Sequence, residues 1–372
     1  MKRNLLLIII AALEMFSLVS CDGKGVESKK MSVQEEIPTL SKMDSSSIVA
    51  DSNNIVLPEE KSDFCLAAVE IGGKIGYIDK NGHFVINPQF EKTRDFFECM
   101  ATVMINQKCG YIDKTGVCVI NPQFDFATDF SEGLALVGIG DKYGYIDKTG
   151  HYAINPQFDD AENFSEGLAA VKIGDSWGYI DNTGRYVINP QFNNAASFHE
   201  GLAHVRINDK WGYIDKTGQC VINPQFDFAR SFNEGRACVE MDGSWGFIDN
   251  SGQYVITPQF DCELVFSEGL VRERIGDKWG YLDKFGHYAI NPQFDRAYDF
   301  SEGLALVETD DKWGYIDKTG RYVINPQFDV ASDFSEGMAS VLLGDKWGFI
   351  DKSGRYVINP QFDDVRDFKK VD

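Results

Sequence analysis

The sequence predicts an all-β protein: tandem 34-residue antiparallel β-repeats that form an open solenoid or superhelix. Three observations support this: a Pro-Gln-Phe tripeptide recurs every 34 residues, no copy carries an insertion or deletion, and each unit contains short strand-like runs between turn residues. The recurring prolines are Pro88, Pro122, Pro156, Pro190, Pro224, Pro258, Pro292, Pro326 and Pro360. A closed β-propeller is the alternative, and it is less favoured because its blades usually need four strands and about 40 or more residues.

The first two strands of each unit are predicted to form a hairpin. In the unit that begins at Gly133, an apolar run over residues 134–137 precedes the turn residues 140–142, and a second strand-like run covers 143–147. The first turn position holds Gly, Asn or Asp in successive copies, and these residues tolerate positive φ. The pattern therefore predicts strand, tight turn and strand.

A second turn and a third strand follow. Asp147 to Gly150 predict a type I turn in which the Asp side chain accepts a backbone N–H two residues on. The return strand is predicted over residues 151–154, and it is expected to end at Pro156 because proline has no N–H for the ladder. Two Phe positions then recur in every copy, Phe158 and Phe164 in this unit, and are expected to seal each unit against its neighbour.

The amino-terminal segment predicts export and membrane attachment. Residues 1–20 have a basic start, an apolar stretch and small residues, as in a signal peptide. The stretch Leu18-Val19-Ser20-Cys21 resembles a bacterial lipobox, which implies acylation of Cys21 and a lipid-anchored, extracytoplasmic place in the cell envelope, periplasmic or at the surface. An ordinary cleaved signal with a free Cys21 is the alternative. Residues 21–62 are polar and unrepeated, which predicts a flexible tether before the array at 63–372.

Six tryptophans occupy one position of the repeat, and each precedes a glycine: Trp177, Trp211, Trp245, Trp279, Trp313 and Trp347. With the downstream motifs Gly-Tyr-Ile-Asp-Lys-Thr-Gly, Asn-Pro-Gln-Phe and Phe-Ser-Glu-Gly-Leu, the unit resembles the bacterial WG (also called KWG) β-repeat family over residues 64–368. Ile75, Cys109 and Tyr143 depart from the Trp position. The resemblance implies a β-rich repeat scaffold in envelope or surface proteins, without a shared catalytic activity.

Composition and repetition exclude several functions. The formal net charge of −21 argues against nucleic acid as a partner, because binding to phosphates requires clustered Lys and Arg. Carboxylates recur in register at the second turn and before the glycine of the Ser-Glu-Gly segment, whereas catalysis needs one singular constellation. The repeated acids are therefore expected to satisfy turn and loop donors. The sequence predicts no enzyme activity, no metal site and no cofactor. Cys65 and Cys99 are one period apart and are candidates for a bridge.

Candidate ligand contacts come from the tryptophans and from positions that vary between copies. The six tryptophans could stack on sugars, but Ile75 and Cys109 have no ring face, so packing is the favoured role. The unit over residues 262–285 departs most among the later copies and contains Arg272 and Arg274. The sequence thus predicts a non-enzymatic scaffold for protein–protein interaction, whose partner is an envelope or extracellular protein. A carbohydrate- or cell-wall-binding module that uses the Trp row is the alternative.

Overall fold

A computed structural model describes residues 64–261 and 264–371. Contacts divide the chain into two units, Met1–Glu59 and Glu60–Asp372, and all described residues belong to the second. The predicted signal peptide, Cys21 and the tether lie outside the described residues. No helix among the described residues has the length and apolar character to span a membrane.

The described residues form nine small antiparallel sheets, numbered blades 1 to 9 in chain order. Blade 1 contains β1 (Cys65–Ile71), β2 (Lys74–Ile78), β3 (Phe84–Phe90), β35 (Asp364–Val365) and β36 (Lys369–Lys370). Blade 2 contains β4 (Lys92–Phe97), β5 (Met100–Ile105), β6 (Lys108–Asp113) and β7 (Cys118–Phe124). Blade 3 contains β8 (Phe126–Ala127), β9 (Leu134–Ile139), β10 (Lys142–Asp147) and β11 (Tyr152–Phe158).

The middle blades repeat this order. Blade 4 contains β12 (Asp160–Ala161), β13 (Ala169–Ile173), β14 (Ser176–Ile180) and β15 (Tyr186–Phe192). Blade 5 contains β16 (Asn194–Ala195), β17 (Ala203–Ile207), β18 (Lys210–Ile214) and β19 (Cys220–Phe226). Blade 6 contains β20 (Phe228–Ala229), β21 (Ala237–Met241), β22 (Ser244–Ile248) and β23 (Tyr254–Phe260).

The last blades follow the same plan. Blade 7 contains, among the described residues, β24 (Leu270–Ile275), β25 (Lys278–Asp283) and β26 (Tyr288–Phe294). Blade 8 contains β27 (Arg296–Ser301), β28 (Leu304–Thr309), β29 (Lys312–Asp317) and β30 (Tyr322–Phe328). Blade 9 contains β31 (Val330–Ala331), β32 (Met338–Leu343), β33 (Lys346–Asp351) and β34 (Tyr356–Phe362).

The two ends of the array join, so the protein is a closed nine-bladed β-propeller and the predicted open solenoid is wrong. Strand β1 pairs with β35 at Val69 and Val365, and with β36 at Cys65 and Lys370. Side chains of β1 share one buried cluster with Phe368 and with β33 of blade 9. Closure is favourable because an open array would leave the edge of β1 and the last aromatic interface in water.

A two-residue strand explains how 34 residues suffice for a four-stranded blade. After the long edge strand of one blade, the chain enters the next blade through a short strand, as β12 does before β13. The three-stranded unit predicted from the sequence was therefore one strand short. The missing strand lies in the segment that follows Asn-Pro-Gln-Phe. A run of two residues is too short to show the alternation that identifies strands in sequence.

The edge strand also continues through its proline, contrary to the expectation that it stops there. In blade 4, Trp177 pairs with Phe192 and Tyr179 pairs with Ile188, with a bulge between them at the Asn-Pro dipeptide. The bulge brings the backbone of Ile188 and Pro190 over Gly178. Because this is the edge of the sheet, proline removes no ladder partner and discourages pairing with another chain.

Aromatic side chains seal the interfaces between blades. Both predicted Phe positions are buried, as with Phe192 and Phe198, which pack with Tyr179 of blade 4 and with Val205 of blade 5. The Tyr179 hydroxyl donates a hydrogen bond of 2.7 Å to the Ala196 carbonyl in the next blade. Each buried ring contributes about 1.5–3 kcal/mol of transfer free energy, so the interfaces dominate the stability of the ring.

The recurring acids have the structural roles predicted for them. Asp147 Oδ1 accepts the Thr149 N–H at 2.9 Å within its turn. Glu166, at a positive φ of 54°, accepts the Gly201 N–H of the next blade at 3.0 Å. At the closure, Cys65 takes the corresponding place and donates its thiol to Glu336 at 3.4 Å. The Cys65 and Cys99 thiols are both free, so the proposed bridge is absent.

Candidate functional site

The six predicted Trp contacts lie mostly inside the interfaces between blades. Trp177, Trp211 and Trp313 are buried, with 7–8% of their surface exposed. Trp245, Trp279 and Trp347 are half-buried. The Trp211 ring packs against Phe228 of the next blade, with centroids 5.4 Å apart. The row is therefore packed into the ring and presents no continuous aromatic face.

Blade 7 departs from the others in its first described strand, β24. Arg272 and Glu273 occupy the positions that Ala170 and Val171 hold in blade 4, where both are fully buried. The sequence identified Arg272 and Arg274 as variable, but not that two buried apolar positions had become charged. Removing apolar side chains from an interface loosens its packing unless the new groups find partners.

The charged residues of β24 bind to neighbouring strands instead. Arg272 Nε lies 3.0 Å from Asp299, and its guanidinium carbon lies 5.7 Å from the ring centroids of both Trp279 and Tyr298. Glu273 accepts the Tyr288 hydroxyl at 2.7 Å. Burial, and then this carboxylate, raises the pKa of Tyr288 to about 12. These contacts hold Arg272 and Glu273 in place.

The chain that enters blade 7 lacks two backbone hydrogen bonds found at other junctions. In blade 4, the Asp159 N–H donates to Lys172 at 3.0 Å and the Glu162 N–H donates to Ala170 at 2.9 Å. Among the described residues, the equivalent pairs Asp261 with Arg274 and Leu264 with Arg272 form no such bond. Within the described part of the chain, the Arg272 carbonyl therefore lacks the donor that its counterparts in blades 3 to 6 have, whereas the bond missing at Arg274 is also missing at Met104 of blade 2 and Leu342 of blade 9.

A cavity of about 480 Å³ lies at this junction between blades 6 and 7. Apolar and aromatic walls meet several polar groups there, and the described lining residues are Gln259, Phe260, Asp261, Leu264, Glu273, Arg274, Gly276 and Trp279. Its volume falls in the range of ligand pockets, and its mixed lining is typical of them. Of the predicted contacts, the structure brings Trp279 and Arg274 together here, whereas Arg272 is not among the described lining residues and its guanidinium carbon lies 5.7 Å from the Trp279 ring centroid.

A second candidate is an acidic arc in the row one residue before the second Phe position. It contains the aspartates of five successive blades, Asp299, Asp333, Asp367, Asp95 and Asp129, while the other blades carry Asn163, Ser197, Ser231 and Val265. Burial raises the pKa of Asp129, and Arg366, two blades away, is close enough to oppose that rise. Groups two blades apart interact only where blades converge, so the arc lies toward the ring axis.

Most members of the arc have partners. Arg366 lies 3.8 Å from Asp95, Arg94 lies 3.9 Å from Asp129, and the Ser332 hydroxyl donates to Asp367 at 2.8 Å. Asp333 differs, because its buried Oδ1 has no hydrogen-bond partner among the described residues. Burial, followed by the charges of Asp367 and Asp299, raises the pKa of Asp333 to about 6. Within the described residues, no group of His, Cys, Asp and Glu is arranged to hold a metal ion.

Asp333→Asn is expected to stabilise the ring at pH 8 by about 3 kcal/mol. The pKa of Asp333 is higher in the folded than in the unfolded protein, so the protonated carboxyl favours folding. This contribution to the free energy of unfolding is fully present below pH 4 and is lost as the pH rises through 6. The gain from the amide should therefore be large at pH 8 and vanish near pH 4, as measured by thermal unfolding across pH. Asp175→Asn, at an exposed turn, serves as control; an equal gain at both pH values would contradict the assignment.

One solved structure shares the overall fold. A protein described as "the eukaryotic initiation factor" aligns with a TM-score of 0.61 and 10% identity over 82% of this chain and 98% of its own, which supports the closed ring. Dihydro-heme d1 dehydrogenase NirN aligns with a TM-score of 0.46 and 11% identity, over 83% of this chain and 75% of its own. AztD from Citrobacter koseri aligns with a TM-score of 0.41 and 12% identity, over 81% and 96%. At 10% identity, the likeness to the first of these structures concerns the fold alone.

Sequence comparison identifies the repeat. No curated protein matches the chain significantly. The model of the WG containing repeat matches nine consecutive segments, residues 75–109, 110–143, 143–176, 177–211, 211–245, 245–279, 279–313, 313–347 and 347–370. Because these matches cover nearly all of the propeller, the chain belongs to the family of proteins with WG-containing repeats.

Proposed function

We propose that the protein is a non-enzymatic binding scaffold that recognises a protein partner at the junction of blades 6 and 7. The observation that carries this proposal is the cavity beside Trp279 and Arg274, where charged residues replace buried apolar ones and, among the described residues, the Arg272 carbonyl lacks its usual donor. Aromatic and Arg side chains in a partly desolvated pocket are typical anchors of protein interfaces. The recurrent acids, in contrast, are occupied by turns and by contacts between blades.

The proposal includes a place in the bacterial envelope. The lipobox-like Cys21 and the apolar stretch before it support a lipid anchor outside the cytoplasm, with the polar segment 21–62 as its tether. An envelope or extracellular protein is then the partner. Labelling cells with a fatty-acid probe tests the anchor: we expect incorporation into the wild type and none into Cys21→Ser, and equal labelling of both would refute it.

The glycan alternative gains no support from the Trp row. Sugar stacking needs exposed ring faces, whereas three of the six rings are buried between blades and the others are half-buried. Binding to purified wall polysaccharide remains a useful counter-test. Retained wall binding that disappears when the half-buried residues Trp245, Trp279 and Trp347 are replaced by Ala, with folding intact, would favour the glycan function.

Site-specific photo-crosslinking tests the proposed protein interface. A photoreactive residue at position 274 is expected to capture one defined envelope protein, and the same residue at position 206 is expected to capture none. Arg206 is a matched control because it holds the same place in blade 5 and also pairs with a turn aspartate, Asp209, at 2.9 Å. Trp279→Ala should abolish the crosslink at 274. Equal capture at both positions, or capture insensitive to Trp279, would overturn the assignment of this surface.

A further inference from the structure

A row of Lys–acid pairs marks the junctions between blades. The Lys at the start of a blade's third strand contacts an acid 17 residues later, as Lys142 does with Asp159 at 2.5 Å and Lys278 with Asp295 at 2.7 Å. The same pairing joins Lys74–Glu91, Lys108–Asp125, Lys210–Asp227, Lys312–Asp329 and Lys346–Asp363. Each of these seven acids has its own lysine, so the charges of these pairs neutralise each other.

Two junctions lack the lysine, and only one of them keeps the acid. At the junction of blades 4 and 5, Ser176 replaces the lysine and Asn193 replaces the acid, so both charges are absent. At the junction of blades 6 and 7, Ser244 replaces the lysine but Asp261 keeps its carboxylate. Asp261 is exposed and lines the cavity beside Trp279.

We propose that this cavity binds a lysine side chain from an extended segment of the partner protein, with the ammonium at Asp261. The inference rests on the proposed protein-binding function and specifies its chemistry. The partner's lysine would supply to Asp261 the cation that a Lys of the chain itself supplies at the other acid-bearing junctions. Its aliphatic stem would lie along the apolar wall formed by Phe260, Leu264 and Trp279.

The charges and backbone groups around the cavity favour such a ligand. Asp261, Glu273 and Arg274 are the charged residues among the described lining; the Glu273 carboxylate accepts the Tyr288 hydroxyl, and Arg274 lies 3.5 Å from a different acid, Asp277. Among the described residues, no N–H of the chain that enters the blade reaches the Arg274 carbonyl, and an extended peptide can supply one. An ammonium–carboxylate hydrogen bond together with a main-chain bond fixes both the side chain and its backbone.

Peptide selection on the full-length protein tests the proposal. The probes are octapeptide pools with random flanks and a fixed central Lys, norleucine or acetyl-lysine. Wild type is expected to retain the Lys pool about tenfold better than the other two, as a charge-assisted hydrogen bond requires. Ser244→Lys should abolish this preference, because the introduced lysine pairs with Asp261, and Asp261→Asn should do the same. Ser176→Lys is the matched control and should leave the preference unchanged, since it faces the neutral Asn193.

The outcomes separate this inference from the scaffold itself. Ser244→Lys recreates a pair found at other junctions, so its thermal midpoint should equal or exceed that of wild type, which excludes misfolding as the cause of lost binding. No preference for Lys in wild type, or the same preference in Ser244→Lys, would overturn the lysine site. If the crosslink at position 274 persists in Ser244→Lys, the proposed binding function stands but lysine recognition is rejected. Absence of any crosslink at position 274 would reject the scaffold assignment.

Discussion

Replacement of Gly178 by alanine is expected to destabilise blade 4 by about 3 kcal/mol or more. A Cβ at this position would lie 2.6 Å from both the Ile188 carbonyl oxygen and the Pro190 nitrogen. Both atoms belong to the bulged backbone of the edge strand, which cannot move without breaking its pairing with β14. Calorimetric unfolding and hydrogen exchange of the amides in β14 and β15 would measure the loss.

A second glycine in the same blade provides the control for Gly178→Ala. A Cβ on Gly174 would meet nothing within 4 Å, although the residue has a positive φ of 59°. Gly174→Ala should therefore cost only about 1 kcal/mol, the price of a left-handed conformation for alanine. Similar losses for the two variants would show that backbone proximity is not the reason for glycine in the Trp-Gly dipeptide.

Removal of residues 364–372 is expected to open the ring. The deletion eliminates β35 and β36, which pair with β1, and it removes Phe368, whose buried ring lies 4.9 Å from Phe349. Burying this one aromatic ring alone is worth about 1.5–3 kcal/mol, and the lost strand pairing adds to that. Small-angle scattering should show a larger radius of gyration, and thermal unfolding should begin at lower temperature.

Complementation in trans distinguishes loss of closure from general damage. A synthetic peptide of residues 364–372 should bind the truncated chain and restore the compact dimensions, because it supplies the missing strands to β1. A scrambled peptide of the same composition should have no effect. If the truncated chain keeps the wild-type radius of gyration and melting temperature, the joined ends do not hold the ring together.

The candidate cavity was only partly foreseeable from the sequence. The repeat alignment identified the unit at 262–285 as divergent and singled out Arg272 and Arg274. It could not show that Ser244 and Asp261 belong together, because the pairing of Lys with an acid 17 residues later follows from the fold of the blade. The sequence does contain the relevant change, since Ser244 replaces the lysine while Asp261 keeps its carboxylate. Only the structure shows that these two positions contact each other in the other blades.

The acidic arc was invisible for a different reason. Asp95 and Asp129 lie near the start of the array, whereas Asp299, Asp333 and Asp367 lie at its end. They form one continuous arc only after blade 9 has joined blade 1. A linear sequence gives no indication that its two ends are neighbours.

The sequence by itself determined the repeat, its hairpins, its turn acids and its two buried Phe positions, because period, turn chemistry and apolar pattern are local properties. Tertiary structure alone decided that the array closes, that a further strand, only two residues long in blades 3 to 6 and 9, completes the blade, and that the edge strand passes through its proline. These features depend on the angle between successive blades and on contacts between distant ends. Small rotations accumulate over nine units, and no single repeat encodes their sum in its residue pattern.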